Sequence, residues 1–206
     1  MRKILFILMV LLCGAMCNVA AQDMRMLFLN APDEVFPLLT KNNRADCVDY
    51  VDAGMKAIVT NRLGGVSSLE ALTGDYLYVQ SSSSSWIEAK LLPFNKDSII
   101  CVVKGVSAEA ADSHLLFYDR MWNRLDDEAM FEQPAIVDFF VQEDSAACYA
   151  EKCDIYLVKY SLSKDECMLK AEYTMPSYMS DDDARTISKL LRPIVYRWNG
   201  KRFIRE

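Results

Sequence analysis

Residues 76–103 read YLYVQSSSSSWIEAKLLPFNKDSIICVV and predict three consecutive β-strands. Two alternating runs, 76–79 and 86–91, lie on either side of Gln80 and five serines, which is typical of a hairpin with a polar connection. Ile99–Val103 is apolar at every position, as in an internal strand that is buried on both faces. An antiparallel sheet therefore lies at the centre of the predicted fold.

Further strands are predicted on the C-terminal side of this stretch. The run His114–Tyr118 is expected to return beside Ile99–Val103. Ile155–Leu162 and Cys167–Thr174 have the alternation of a half-buried antiparallel pair, with a turn at 163–166 between them.

The last hairpin carries the strongest local turn signal. Asn199-Gly200 supports the positive φ angles of a two-residue type I′ turn. That turn predicts a register in which Trp198 faces Lys201 and Tyr196 faces Phe203. These four side chains would then share one side of the hairpin.

Helices are predicted near both ends of the chain. Asn30, with Pro32 in the first turn, predicts a short helix that carries Val35, Leu38 and Leu39. A second helix should follow the turn at 41–43. Its apolar face would consist of Val48, Val51, Met55 and Ile58.

A later helix is predicted after Ser180, a typical N-cap followed by three aspartates. It should end before Pro193, and a short helix should also follow Pro134. The residues expected to be buried on the later helix are Ala184, Ile187, Leu190 and Leu191. The predicted fold class is α+β: an antiparallel sheet of hairpins, roughly six to eight strands, with helices near the N-terminus and before the last hairpin packed on one face.

The first 21 residues have the organisation of a secretory signal peptide. Arg2-Lys3 precedes the apolar run 4–12, and Val19-Ala20-Ala21 provides small residues for cleavage before Gln22. Cleavage would leave 22–206 as a single exported domain, periplasmic or extracellular. The apolar run is shorter than the about 20 residues of a membrane span, and no transmembrane segment is expected in the mature chain.

Composition and charge narrow the classes of function. The 206 residues are 52% hydrophobic and include only 7 Gly and 6 Pro, which predicts a packed core rather than a disordered chain. The formal net charge is −6, and cleavage removes two basic residues and no acidic ones. A general nucleic-acid binder needs a clustered basic surface, so this class is disfavoured.

Five cysteines remain after cleavage, and this number is odd. They are Cys47, Cys101, Cys148, Cys153 and Cys167, and their spacings match no metal or redox motif. Cys101 lies in the apolar run and is predicted to be a buried free thiol. A local disulfide between Cys148 and Cys153 is an open alternative.

Recognised catalytic chemistry has few candidates in this chain. His114 is the single histidine, which argues against a zinc site, and no cofactor is expected. Asp112 and Ser113 precede His114, but neighbouring residues on a strand point to opposite faces. Cys47 lies beside acidic residues that raise a thiol pKa, so it is disfavoured as a nucleophile.

One surface candidate is the basic cluster Arg197, Trp198, Lys201, Arg202 and Arg205 on an otherwise acidic protein. It would bind an anionic group or an acidic partner. The alternative is ordinary cross-strand packing with arginines that face solvent.

Three segments resemble a known family. They are Leu39–Arg44 continuing through Val59–Gly65, Leu91-Leu92-Pro93, and Pro193–Phe203. Together they are similar to an uncharacterised domain-of-unknown-function family of exported proteins from Gram-negative gut anaerobes. The resemblance supports export and a single domain, and it assigns no catalytic residue.

The leading hypothesis is therefore an exported, non-enzymatic protein that binds a protein or cell-envelope partner. The rival is a hydrolase that uses His114 or a carboxylate pair. A concave pocket that contains His114 or two facing carboxylates would favour the hydrolase, whereas a flat apolar patch would favour the binder. A third possibility is an inhibitor or chaperone-like module that uses an exposed sheet edge.

Overall fold

The computed structural model describes residues 23–141 and 153–206, which form helices at both ends and two antiparallel sheets. The helices are α1 (Asp23–Asn30), α2 (Lys41–Asp52), α3 (Asp127–Met130) and α4 (Asp181–Leu190), with 3-10 turns at Ile136–Phe139 and Met175–Tyr178. The strands are β1 (Ala57–Thr60), β2 (Val66–Leu72), β3 (Tyr76–Ser82), β4 (Ser85–Phe94), β5 (Asp97–Ser107), β6 (Ala111–Tyr118), β7 (Val158–Leu162), β8 (Met168–Tyr173), β9 (Ile194–Trp198) and β10 (Phe203–Arg205).

Strands β1 to β6 form the first sheet in chain order, and each strand pairs with the next one. The predicted hairpin of 76–91 is confirmed as β3 and β4; three of its five serines extend the strands, and Ser83 and Ser84 form the turn. Ile99–Val103 lies within β5, between β4 and β6, and is buried at every position. The predicted internal strand is therefore confirmed, as is the return of His114–Tyr118 beside it.

One face of the first sheet is covered by the N-terminal helices. Phe28, Phe36 and Leu39 are fully buried against it with Leu77 and Ile100. Below them Arg44 of α2 is 2% exposed, and its guanidinium donates to the carbonyls of Ala31 and Leu39 at 2.8 and 2.7 Å. Arg44 thereby ties the chain at 31–39 to α2.

The other face of the first sheet packs against the second sheet, whose order is β10-β9-β8-β7. Phe117 and Cys101 from the first sheet share this core with Leu169 and Tyr196 from the second. Ile187 of α4 is fully buried in the same core. The first sheet is thus the middle layer, and this position explains why β5 is buried on both faces.

The α+β class is confirmed, but the strands divide into two sheets and the helices pack in two places. The helical pattern at Asn30–Leu39 proved wrong, because α1 ends at Asn30 and the following residues form turns whose carbonyls are bonded by Arg44. Helix α2 starts after the N-cap Thr40 and ends at Asp52. Ile58, expected on that helix, instead lies in β1.

The register of the last hairpin differs from the prediction. Trp198 faces Phe203, not Lys201, because four residues form the loop. The side-chain oxygen of Asn199 accepts hydrogen bonds from the backbone N–H groups of Lys201 and Arg202, both at 2.9 Å. Those bonds hold Lys201 in the loop, while Tyr196, Trp198 and Phe203 are buried on one side as expected.

The predicted leader and one cysteine lie outside the described residues. Cys101 is a buried free thiol, as predicted. Cys148 lies outside the described residues, but Cys153 is a buried free thiol, so the alternative of a disulfide between the two is wrong. Within 23–141 and 153–206, no helix has the length and hydrophobicity to cross a membrane.

Candidate functional site

The two sheets meet along a seam where β6 of the first sheet lies beside β7 of the second. The hydroxyl of Ser113 donates to the carbonyl of Val158 at 2.8 Å and accepts from the N–H of Tyr160 at 2.7 Å. The carboxylate of Asp112 accepts from the N–H of Val158 at 3.3 Å. These side chains bond the backbone groups that β7 turns away from β8.

Glu88 of β4 extends this seam. It is 3% exposed, and its carboxylate accepts from the N–H of Leu162 at 2.8 Å and from the hydroxyl of Tyr76 at 3.3 Å. Burial raises the pKa of Glu88, and the hydrogen bonds and the charge of Lys159 offset only part of this effect. We call Asp112, Ser113 and Glu88 the polar seam.

Next to the polar seam, the outer edge of β6 is left uncovered by residues 23–141 and 153–206. The N–H of Phe117 donates to the carboxylate of Asp127 at 3.0 Å, and the carbonyl of Phe117 accepts from the N–H of Leu125 at 3.0 Å. Phe117 therefore turns its backbone groups away from β5. Because these directions alternate along an antiparallel strand, Leu115 turns its N–H and carbonyl outward as well. No partner for these two groups of Leu115 is found within 23–141 and 153–206.

This open edge lines a cleft of about 740 Å³. Around the strand, the cleft is walled by the segment that follows β6, by the start of the second sheet and by the last hairpin. Its described lining includes Asp112, His114 and Leu115 on β6, Asp127, Glu128, Phe131, Glu132 and Gln133 after β6, and Tyr156, Tyr160 and Arg202.

Three aromatic rings form one wall of the cleft. Phe131 packs edge-on against Tyr160, with ring centroids 5.4 Å apart, and the hydroxyls of Tyr156 and Tyr160 are 3.1 Å apart. Burial raises the pKa of both tyrosines, so both phenols are neutral at physiological pH. The wall therefore offers ring surfaces without a charge of their own.

The described lining is acidic. Asp112, Asp127, Glu128 and Glu132 contribute four carboxylates, against the single guanidinium of Arg202. Arg202 pairs with Glu132 at 3.3 Å, and Arg124 pairs with Asp127. Asp112 and Glu128 have no ion pair among the described residues. The cleft therefore keeps a negative potential.

His114 lies in this cleft, which is the geometric condition set by the hydrolase alternative. The hydroxyl of Ser113, however, points to the opposite face of β6 and is held by β7 on both its donor and acceptor sides. Cys47 is buried under the helical layer, and burial raises its pKa to about 11. Neither side chain serves His114 as a nucleophile. Among the described residues there is also no cluster of potential metal ligands.

The predicted basic cluster is divided between two faces and the loop of the last hairpin. Trp198 is buried between the sheets, and its indole N–H donates to the carbonyl of Pro93 at 2.7 Å. Arg197 is exposed on the other face and pairs with Glu206 at 2.6 Å. Lys201 lies exposed in the loop, and Arg202 reaches the cleft. Arg205, in β10, pairs with Asp138.

The sequence reasoning did not identify Leu115, Phe131 or Tyr160 as site residues. Leu115 and Tyr160 belong to strand patterns that predict only a core position, and no predicted pattern includes Phe131. The one available signal was the end of β6 followed by Asp126-Asp127-Glu128, which places a carboxylate beside a strand edge.

Comparison with known proteins gives a family without an assigned activity. The model of a family described as "Protein of unknown function (DUF3256)" matches residues 16–203. A solved structure, described as a domain of an uncharacterized protein from Porphyromonas gingivalis W83, is similar over 89% of this chain and 99% of that chain. Its TM-score is 0.77 and its sequence identity 27%. No curated protein matches.

Proposed function

The chain belongs to DUF3256, a family of proteins of unknown function, and we propose that it is a binding module which captures an extended segment of a partner protein. The segment adds as a strand to the open edge of β6. The observation that carries this proposal is that the outward backbone groups of Leu115, inside the cleft, have no partner among the residues that the structure describes.

Strand addition follows from the chemistry of an open edge. An N–H and a carbonyl that face outward pair readily with the backbone of an extended chain. In an antiparallel arrangement, one residue of the partner exchanges both hydrogen bonds with Leu115. The gap is short, since the polar seam begins at Ser113 and the backbone of Phe117 is already bonded. The paired stretch is therefore about three residues long, at about 3.4 Å per residue.

The cleft has the size that such a segment requires. Its volume of about 740 Å³ lies within the usual range of about 300–1,000 Å³ for binding sites. The second sheet and the 127–133 segment stand on either side of the open edge, so they supply pockets for side chains of the partner.

We also propose that binding takes place outside the cytoplasm. The support is the arrangement of Arg2-Lys3, the apolar run 4–12 and Val19–Ala21 at the start of the chain. A partner in the periplasm or on the cell surface fits this proposal.

The test begins with selection of random heptapeptides on the purified protein, followed by measurement of their affinity by fluorescence polarisation. Leu115→Pro removes the outward N–H without breaking a bond to β5, whereas Leu115→Ala keeps that N–H. We expect Leu115→Pro to weaken the selected peptides by about 10-fold, equivalent to about 1.4 kcal/mol, and Leu115→Ala by no more than about 3-fold.

Hydrogen exchange of the Leu115 amide provides a second readout, because strand addition must slow it in the complex. Unchanged exchange together with equal binding by the two variants would overturn the proposal. So would the failure of any peptide to be enriched.

A further inference from the structure

We infer that the cleft selects a lysine or arginine side chain on the partner residue that pairs with Leu115. This inference rests on the strand addition proposed above and specifies the chemistry of the partner. The selected residue would be held by the aromatic wall and the carboxylates beside it.

The geometry of an antiparallel pair determines where this side chain points. Residues that face each other across such a pair project their side chains to the same face. The side chain of Leu115 packs into the core shared by the two sheets, together with that of Phe131. The partner side chain therefore points towards the second sheet, where Tyr156 and Tyr160 line the cleft.

Ring faces and carboxylates together favour a cation at that position. A cation over an aromatic ring is attracted by the negative face of the ring, and the attraction grows as water is excluded. Asp112 and Glu132 lie in the same lining. A basic side chain also has an aliphatic stem that covers the rings while its charged end reaches the carboxylates.

The same charges disfavour an acidic partner. A glutamate at this position would enter a lining with four carboxylates, and the guanidinium of Arg202 is already paired with Glu132. An apolar side chain would gain contact with Phe131 and the tyrosines but no charge interaction. The expected order of affinity is arginine or lysine, then leucine, then glutamate.

The test uses three labelled heptapeptides, Thr-Thr-Thr-X-Thr-Thr-Thr, with X as Arg, Leu or Glu, at low and high ionic strength. We expect the Arg peptide to bind at least about 10-fold more tightly than the Glu peptide, with a preference that declines as salt screens the cleft. Glu132→Gln should weaken the Arg peptide by about 5-fold and leave the Leu peptide unchanged.

Glu109→Gln is the matched control, because Glu109 is an exposed acid that does not line the cleft. It removes the same charge and should change Arg binding by less than about 2-fold. If all three peptides bind equally and Leu115→Pro weakens them all, strand addition stands and the charge selection is overturned. If Leu115→Pro has no effect on any bound peptide, the proposed function itself fails.

Discussion

The neighbouring edges of β7 and β6 differ in how their outward backbone groups are hydrogen-bonded. On β7 the outward N–H groups of Val158, Tyr160 and Leu162 and the carbonyl of Val158 are bonded by the polar seam. On β6 the outward groups of Leu115 have no such partner within the described chain. Exposed strand edges invite pairing with other chains, and proteins usually cover them. Side chains therefore cover the edge of β7, whereas the described part of the chain leaves the adjacent edge of β6 uncovered at Leu115.

The largest expected effect comes from proline placed at adjacent positions of β6. Leu116 turns its N–H towards β5, so Leu116→Pro breaks the ladder and should lower the free energy of unfolding by about 3 kcal/mol. Leu115→Pro should cost only about 1 kcal/mol, because its N–H faces outward. Urea denaturation measures both values. Equal losses would show that Leu115 is bonded within the fold.

A smaller effect is expected at the closed edge. Ser113→Ala leaves the carbonyl of Val158 and the N–H of Tyr160 without partners in a buried position, at a cost of about 2 kcal/mol. Ser107→Ala, at an exposed serine of β5, should change stability by less than about 0.5 kcal/mol. If the two variants unfold at the same urea concentration, the hydroxyl of Ser113 does not hold β7.

The smallest expected effect is the pH dependence of the free energy of unfolding that is linked to Glu88. Its pKa is raised on folding, so the folded protein binds this proton more tightly than the unfolded chain does. The stability linked to Glu88 is therefore fully present below its ordinary pKa and is lost as pH rises through the raised value. Glu88→Gln keeps an acceptor for the N–H of Leu162 and removes the titration.

Unfolding curves of wild type and Glu88→Gln between pH 4 and 8 would measure this effect. The wild type should lose stability relative to the variant as pH rises. A difference that is constant with pH, or one of opposite sign, would contradict the raised pKa of Glu88 in the folded protein.

Much of the fold could be predicted because its strands pair in chain order. Alternation and turn residues mark β3, β4, β7 and β8 locally, and the apolar run in β5 marks a strand covered on both faces. That run does not say what covers each face, so the division into two sheets was missed. The register of the last hairpin was missed because the side chain of Asn199 takes two backbone N–H groups and lengthens the loop.

The candidate site was harder to predict than the fold. Phe131 and Leu115 are 16 positions apart in the chain. Tyr160 and Arg202 are far from both in sequence and reach the same cleft only because the second sheet packs against the first. In the predicted register only Lys201 shared a side with Trp198, and the four-residue loop removes Lys201 from that side. Alternation puts Trp198 in the core and Arg197 on the outside, and partner binding at the basic cluster stays a prediction.

The bond between Trp198 and Pro93 joins residues 105 positions apart, and this separation has a consequence during synthesis. Strands β1 to β6 pair with neighbours in sequence, so their sheet can form while the ribosome is still adding later residues. The part of the sheet around Phe117, which packs against Trp198 and Phe203, then stays uncovered until the final hairpin emerges. A chain whose synthesis stalls before Trp198 would expose this apolar surface to the cell's quality-control machinery.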